Sequence, residues 1–588
     1  MADEPQAPTI RAISWRETFP FTHIFRGFRI AIHPSKLMLG LVALLCLYVG
    51  GRILDGVWPA RHLAVPNEVR DYERHVADGG SSELFARHRL DVREQVEARY
   101  AQDLITLGVV GDPKVAADAA RDVKLLPEVR GRILIRRGQR ISDAELAHKD
   151  AFAAADKLPT PDERDRARRA ADDAYNAALR DAYNDAYRDW LAAKSIKGVG
   201  LFRSFFEYEE ECVVGVVRGV IQGNWLGSTR DDRGPGVVWS VINFFTVGPV
   251  WLMRFHPVYF VLFTLLFLTI WAIFGGAICR IAAVHVARDE KLSVRAALAF
   301  SLGKFLSFVS APLIPLIIVL VVGLVPLIAG LLVSIPFIGP IFNILMGALF
   351  VIILAAGFVM TLVLLGTFGG FNLMYPTIAV EGSDSFDAIS RSFSYVYARP
   401  WRMIFYTLIA VVYGALTYIF VRMFVWMMLS LTHHFVGAGM FAMAPSTEPL
   451  WTVMWRGPSA PPGRLSYDVN HLTLTWYQDI AAWLVAFWVY LVVAMLGAFA
   501  ISFYFSVNTI IYYLMRNEVD ATEMDDVYLE QSEEDFADAT AAPVTVSAAT
   551  ATVTTVTTPA AGAPTTPPPR EPGTMVDPSA PPPETPPT

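Results

Sequence analysis

The sequence predicts an all-α integral membrane helical bundle of about six transmembrane helices, with an extramembrane helical domain and a disordered C-terminal tail. Three observations lead there. Of the 588 residues, 54% are hydrophobic and only 18% charged, an excess of apolar material that needs a solvent other than water. Six apolar runs approach or exceed the ~20 residues a helix needs to cross ~30 Å of hydrocarbon. The stretch 516–588 is first acidic and then rich in Thr, Ala and Pro, a compositional bias that cannot bury a core.

Charge and cysteine content narrow the function. A net charge of -7 and a pI of about 5.9 argue against a nucleic-acid partner, because phosphate backbones ask for clustered cations. Cys46, Cys212 and Cys279 are too far apart for a disulfide framework or a zinc motif.

The elements follow in chain order. Residues 1–36 form a cytoplasmic amphipathic N-terminal segment carrying Arg26, Arg29 and Lys36. The first transmembrane anchor, 37–58, is read as uncleaved, because no small-residue cleavage site follows Gly50-Gly51-Arg52. Residues 59–200 form an outer helical domain. There, Ser142 with Glu145 and Thr160 with Glu163 have capping-box spacing, and Pro161 suits a first helical position. Tyr175, Leu179, Tyr183, Tyr187, Trp190 and Leu191 make one apolar stripe. An antiparallel hairpin near 143–194, turning at Lys157 to Thr160, accounts for both.

Residues 201–256 combine Glu207, Glu209, Glu210, Glu211 and Arg218 with Trp239, Phe244, Phe245 and Trp251. They read as amphipathic helices at the outer interface, a re-entrant hairpin at 237–256 being the alternative. A five-helix membrane domain occupies 257–515, with spans at about 259–279, 312–334, 341–370, 403–428 and 481–505. Pro312 and Pro315 fall in the first turn of their span, and Pro326 inside it predicts a kink. Alternation across Leu465, Tyr467, Val469, Leu472, Leu474 and Trp476 predicts a short β-hairpin. The acidic tail is either a solubilising extension or a docking segment for a soluble or basic protein.

Basic residues set the orientation. Arg280, Arg288, Lys291, Arg295 and Lys304 follow the second span, and Arg391, Arg399 and Arg402 precede the fifth. The positive-inside rule places these loops and both termini in the cytoplasm. The two loops also echo each other: a shift of 92 positions aligns Ser293 with Ser385 and Ala296 with Ala388. Two units, each a span, a short interfacial helix and a second span, explain the echo.

FRIAIHPSKLMLGL (28–41), ICRIAAVHVARDE (278–290), EGSDSFDAISRSFSYVYARPWR (381–402) and IIYYLMRNEVDATEMDDVYLE (510–530) resemble phrases of a family of uncharacterised bacterial multi-pass membrane proteins. They are similar, more distantly, to the membrane domain that accompanies some glycerophosphodiester phosphodiesterases. The resemblance covers the membrane core and its flanks, implies the bacterial inner membrane, and carries no catalytic residue onto this chain. The phosphodiesterase's His-Arg-Gly signature is absent.

Chemistry-bearing residues are sparse. Arg52 and Asp55 read as an interface pair, and Arg422, 20 residues after Arg402 and so ~30 Å along a helix, as the opposite interface anchor. His433, His434 and His471 gather with Met423, Met427, Met428, Met440, Met443 and Met454 without a recognised ligand spacing. His285 is an interface residue. No nucleophile elbow, P-loop, HExxH helix or dinucleotide fingerprint occurs. The expectation is therefore no catalytic, cofactor-binding or metal residue. The partners are the lipid bilayer and a protein bound through the outer domain or acidic tail. A non-enzymatic membrane or envelope scaffold leads, with a permease or lipid-handling protein as the alternative.

Overall fold

The structure, a computed structural model, describes residues 19–529 apart from 60–61, 122–124, 197, 228–233, 338, 460–464, 466 and 468. Residues 1–18 of the N-terminal segment and the tail from 530 lie outside the described residues.

A 3-10 turn, Pro20–Phe25, leads into α1 (Arg26–Ala31) and then α2 (Pro34–Val57). The extramembrane domain follows as α3 (Glu68–Ala77), α4 (Ser82–Thr106), α5 (Pro113–Arg121), α6 (Leu126–Ala155) and α7 (Pro161–Ser195). Next come α8 (Leu201–Gln222), α9 (Val237–Phe255) and α10 (Pro257–Ile270), which runs through a π-helical turn, Trp271–Gly275, into α11 (Gly276–Arg288). The remainder is α12 (Val294–Gly303), α13 (Phe305–Val333), α14 (Gly339–Ala348), α15 (Phe350–Glu381), α16 (Ser385–Ala398), α17 (Pro400–Gly439), α18 (Leu450–Met454) and α19 (Trp476–Asp520).

Among the described residues, seven helices are long and apolar enough to cross a membrane: α2, α9, the continuous α10–α11, α13, α15, α17 and α19. The most apolar 18 residues of α13 have none buried. A Leu/Ile/Val surface turned outward on that scale fits hydrocarbon as solvent, as in a multi-pass membrane protein. The seventh candidate, α9, is the segment expected to lie at the interface. Asn243 Nδ2 donates to Glu73 at 2.7 Å and Trp251 Nε1 to Glu68 at 3.0 Å, so the charged helix α3 lies along it.

The hairpin of α6 and α7 forms as expected. Thr160 caps α7 by accepting from the Glu163 amide at 3.3 Å, with Pro161 in the first turn. Its first helix, however, starts at Leu126 rather than at Ser142, which lies inside α6. Pro127 in the first turn marks the true start; the Ser142 spacing matched a cap without the break in helical backbone that a cap needs.

Further readings differ: the helix of the second span continues to Arg288 and that of the fifth to Gly439. Helix α13 begins at Phe305, so Pro312 and Pro315 sit within it and not in its first turn. The run from 341 divides into α14 and α15 at Leu349, and α15 continues to Glu381. The β-hairpin does not form: His471–Thr473 is a 3-10 turn and Trp476 opens α19. Among the described residues there are only isolated bridges, Ala64 with Val199 and Met443 with Pro449. The alternation came from side chains packing on the α17–α19 pair, since Leu465, Tyr467, Trp451 and Trp455 share one cluster with Val425 and Val489. Finally, α19 runs to Asp520 and residues after it pack, with Val527 6% exposed, so the order extends past 516.

The two repeated units are present, in a register one residue from the expected one. Ser293 caps α12 and Asp384 caps α16, so the shift is 384 − 293 = 91. It superposes buried Ala297 on buried Ala388 and fully buried Ser301 on fully buried Ser392. The shift of 92 had matched serine to serine, but Asp caps as well as Ser. In each unit the short helix enters a Gly-Gly step. A Cβ on Gly276 would lie 2.5 Å from Ser301 Oγ, and one on Gly370 3.3 Å from the Ser392 carbonyl oxygen. Ser301 Oγ lies 2.6 and 2.7 Å from the carbonyl oxygens of Ala272 and Ile273, in the π turn where the helical ladder is loosened.

Candidate functional site: the charged layer at one end of the bundle

The four quoted phrases, far apart in sequence, meet at one end of the bundle. Helix α15 ends at Glu381, followed by Gly382 in the left-handed region at φ 64°. A Cβ on Gly382 would also lie 2.5 Å from the Tyr528 ring. Glycine is required there on both counts.

Glu381 is the hub. Arg516 Nε stands 2.8 Å from its Oε1, Arg391 Nη1 3.8 Å, and the Tyr512 hydroxyl donates to it at 2.8 Å. Arg516 also binds the Asp526 carboxylate at 2.6 Å and the Asp526 carbonyl at 2.9 Å. Arg391 holds Asp387 at 3.1 Å, one turn earlier on α16. Burial opposes the Arg391 charge, but Asp387 and Glu381 outweigh it and hold the guanidinium above its ordinary range. On the flank, Tyr395 donates to Asp520, and Tyr406 with Arg402 reaches Glu518. Burial, reinforced by Asp520, raises the Tyr395 phenol.

Arg280 supplies the second clamp. It is buried, donating to the Ala379 carbonyl at 2.8 Å and to the Tyr528 carbonyl at 2.7 Å, with its guanidinium 4.3 Å from the Phe300 ring centroid. The Tyr528 amide in turn donates to the Val380 carbonyl at 2.8 Å. Residues 526–528 are thus stitched to α11, to the end of α15 and to the last turns of α19. These are charge-assisted bonds in a place with little water, stronger than their surface equivalents.

The opposite end holds the extramembrane domain. Glu68, with its side chain fully buried, accepts from the Val65 amide at 2.8 Å and from Trp251, pairs with Arg89 at 2.7 Å and faces His256 at 3.7 Å. Burial pushes its carboxyl up, yet His256 and Arg89 more than offset that and leave it below the usual range. Nearby, burial alone drives Glu209 up to about 8, and both its carboxylate oxygens lack a hydrogen-bond partner among the described residues.

The residues singled out by sequence fall into separate places. Arg52 lies 3.9 Å from Asp55. Asp55 is held by the Phe202 amide at 2.9 Å and the Tyr259 hydroxyl at 2.8 Å, fixing α2 to α8 and α10. Arg422 approaches the Tyr418 hydroxyl at 3.5 Å, whereas Arg402 joins the charged layer. His433 stacks on Trp451 and meets Trp455 edge-on, His434 faces Phe435, and His471 pairs with Asp479 at 2.5 Å. The three histidines therefore do not converge, and among the described residues no group of three or more His, Cys, Asp or Glu could hold a metal ion. The hub role of Glu381 and the clamp by Arg280 were missed. Their signal was a charge placed directly at the end of an apolar run.

No family model, curated protein or solved structure matches the chain.

Proposed function

We propose that the chain is a non-enzymatic scaffold of a bacterial cytoplasmic membrane, with its charged layer and both termini on the cytoplasmic side. The basic residues of that layer support the orientation, and the resemblance of its four phrases to bacterial multi-pass membrane proteins supports the compartment. The observation that carries the role is the clamp on 526–529 by Arg280, Arg516 and Val380. It holds residues 526–529 against the bundle, while at the other end Glu68 joins α3 to α4 and α9. A bundle with residues 526–529 held at one end and a helical domain joined at the other is what an envelope scaffold needs.

The test is affinity capture of the full-length protein from cross-linked membranes, beside variants lacking 59–236 or 530–588. Partners lost with one deletion and kept with the other support the scaffold. The permease or lipid-handling reading draws on the paired units, since internal repeats build many transporters. Saturable flux in proteoliposomes, with no deletion-sensitive partner, would establish it instead.

A further inference from the structure

Beside the charged layer, a second cluster gathers at the same end of the bundle. Helix α1, the first turn of α2 and the end of α11 bring together Arg26, Arg29, His33, Lys36, His285 and Lys291. Their shared acid is Asp289, 3.6 Å from Arg26, 3.7 Å from Arg29 and 3.6 Å from His285. Asp289 is itself 65% exposed. Lys36 is 0% exposed, and its Nζ has no hydrogen-bond partner among the described residues. His33 Nδ1 is likewise buried without a partner, and its ring lies 6.0 Å from that of His285. Burial, then the charges of Lys36 and Lys291, holds the His33 imidazole below its ordinary value.

An ammonium taken out of water without a counter-charge is strongly unfavourable, and repulsion from neighbouring cations adds to it. Asp289 lies against Arg26, Arg29 and His285 and does not pair with Lys36 among the described residues. A group that does must carry negative charge and several acceptor oxygens, and must reach the bundle where α2 enters the membrane. A phosphate meets both requirements, and at the end of two spans it is offered by lipid headgroups.

We propose that this cluster is a binding site for the phosphate of an anionic phospholipid, with Lys36 and His33 as its inner donors and Arg26, Arg29 and Lys291 at its mouth. The proposal rests on the chain being membrane-embedded and is independent of the scaffold role.

The test uses the full-length protein in nanodiscs of phosphatidylcholine containing phosphatidylglycerol, followed by transfer to detergent and native mass spectrometry of retained lipid. The wild type should retain phosphatidylglycerol over phosphatidylcholine. Lys36→Met, which keeps side-chain volume, should reduce that retention roughly tenfold, the effect of losing one charge-assisted hydrogen bond. Arg29→Gln, at an exposed position, should reduce it without threatening the fold, so a poorly folding Lys36 variant leaves the question answerable. Unchanged retention in both variants, with a higher melting temperature for Lys36→Met, would overturn the site and mark Lys36 as merely buried. Inorganic phosphate alone stabilising lipid-free wild type but not Lys36→Met, with no lipid retained, would overturn the lipid as its source.

Discussion

Glu381 and Arg516 meet at 2.8 Å across the ends of α15 and α19, and the tail root hangs from the arginine's other side through Asp526. Both partners are largely shielded, at 15% and 8% side-chain exposure. Removing one half of a shielded pair leaves an uncompensated charge, a loss of about 3–5 kcal/mol, whereas replacing both can be nearly neutral. Glu381→Ala should therefore lower the melting temperature in detergent more than the Glu381→Met, Arg516→Met double variant does. Limited proteolysis should cut near 526 faster in the double variant, which loses the Arg516 hold on Asp526, than in the single one. A double variant no better than the single would show that the pair is incidental.

The glycine steps make a graded prediction. Gly276→Ala forces a Cβ to 2.5 Å from Ser301 Oγ and 2.8 Å from Phe308, and Gly370→Ala places one at 3.3–3.4 Å from Ser392. At Gly357, also helical, nothing lies within 4 Å. Overpacking typically costs about 1–3 kcal/mol, while alanine in an open helical position gains up to ~1 kcal/mol over glycine. Melting temperatures should rank Gly276→Ala below Gly370→Ala, and Gly357→Ala at or above wild type. Equal values for all three would mean that α12 and α16 are not seated as the structure has them.

Glu209 predicts a pH dependence of definite sign. Its folded-state value near 8 lies above the ordinary carboxylate value of 4.5, so the folded chain holds a proton that the unfolded chain releases. Stability from this group is present at low pH and declines as pH rises between those two values, then levels off. Glu209→Gln should flatten that decline and raise the melting temperature at pH 8, leaving pH 4 little changed. Glu68 acts in the opposite sense: its depressed value favours docking above the carboxylate range and releases it in acid. Parallel pH profiles for wild type and Glu209→Gln would mean that Glu209 does not hold its proton in the folded chain.

The helical class, six of the seven long apolar helices and the α6–α7 turn were legible because periodicity, run length and a Thr160-Pro161 cap are local signals. Boundaries failed where local signals compete with packing. Pro312 reads as a first-turn residue until Phe308 and Ala311 are found buried beside it, extending the helix backward. The charged layer was harder still. Glu381 and Arg516 are 135 positions apart (516 − 381), and nothing in either neighbourhood states that α15 and α19 end at one level. The repeated loops hinted at it, with a register fixed only by the caps at Ser293 and Asp384.

The number of helices that cross turns on α9. Helix α9 has the length and composition of a span, yet Glu73 and Glu68 bind it along its length from α3. Helix α3 also carries Arg70, Asp71 and Arg74, and drawing so many charges into hydrocarbon is prohibitive. Helices α8 and α9 both have one end at the Asp55 and Glu68 nodes, so the turn between them must reach either sideways along the interface or across the bilayer. In the first case Asn224→Cys labels from the same side as Ala170→Cys; in the second it labels from the side of Phe386→Cys. Trp225, Trp239 and Phe245, exposed at 57%, 42% and 65%, supply an apolar edge suited to the headgroup boundary, which favours the first. With Cys46, the exposed native cysteine, replaced by alanine, impermeant maleimide on sealed vesicles of known orientation separates the two. Labelling at 224 together with 386 would make α8 and α9 a pair of crossings, one each way, and so overturn the interfacial placement; labelling together with 170 keeps both helices at the interface and leaves the remaining six candidates to cross.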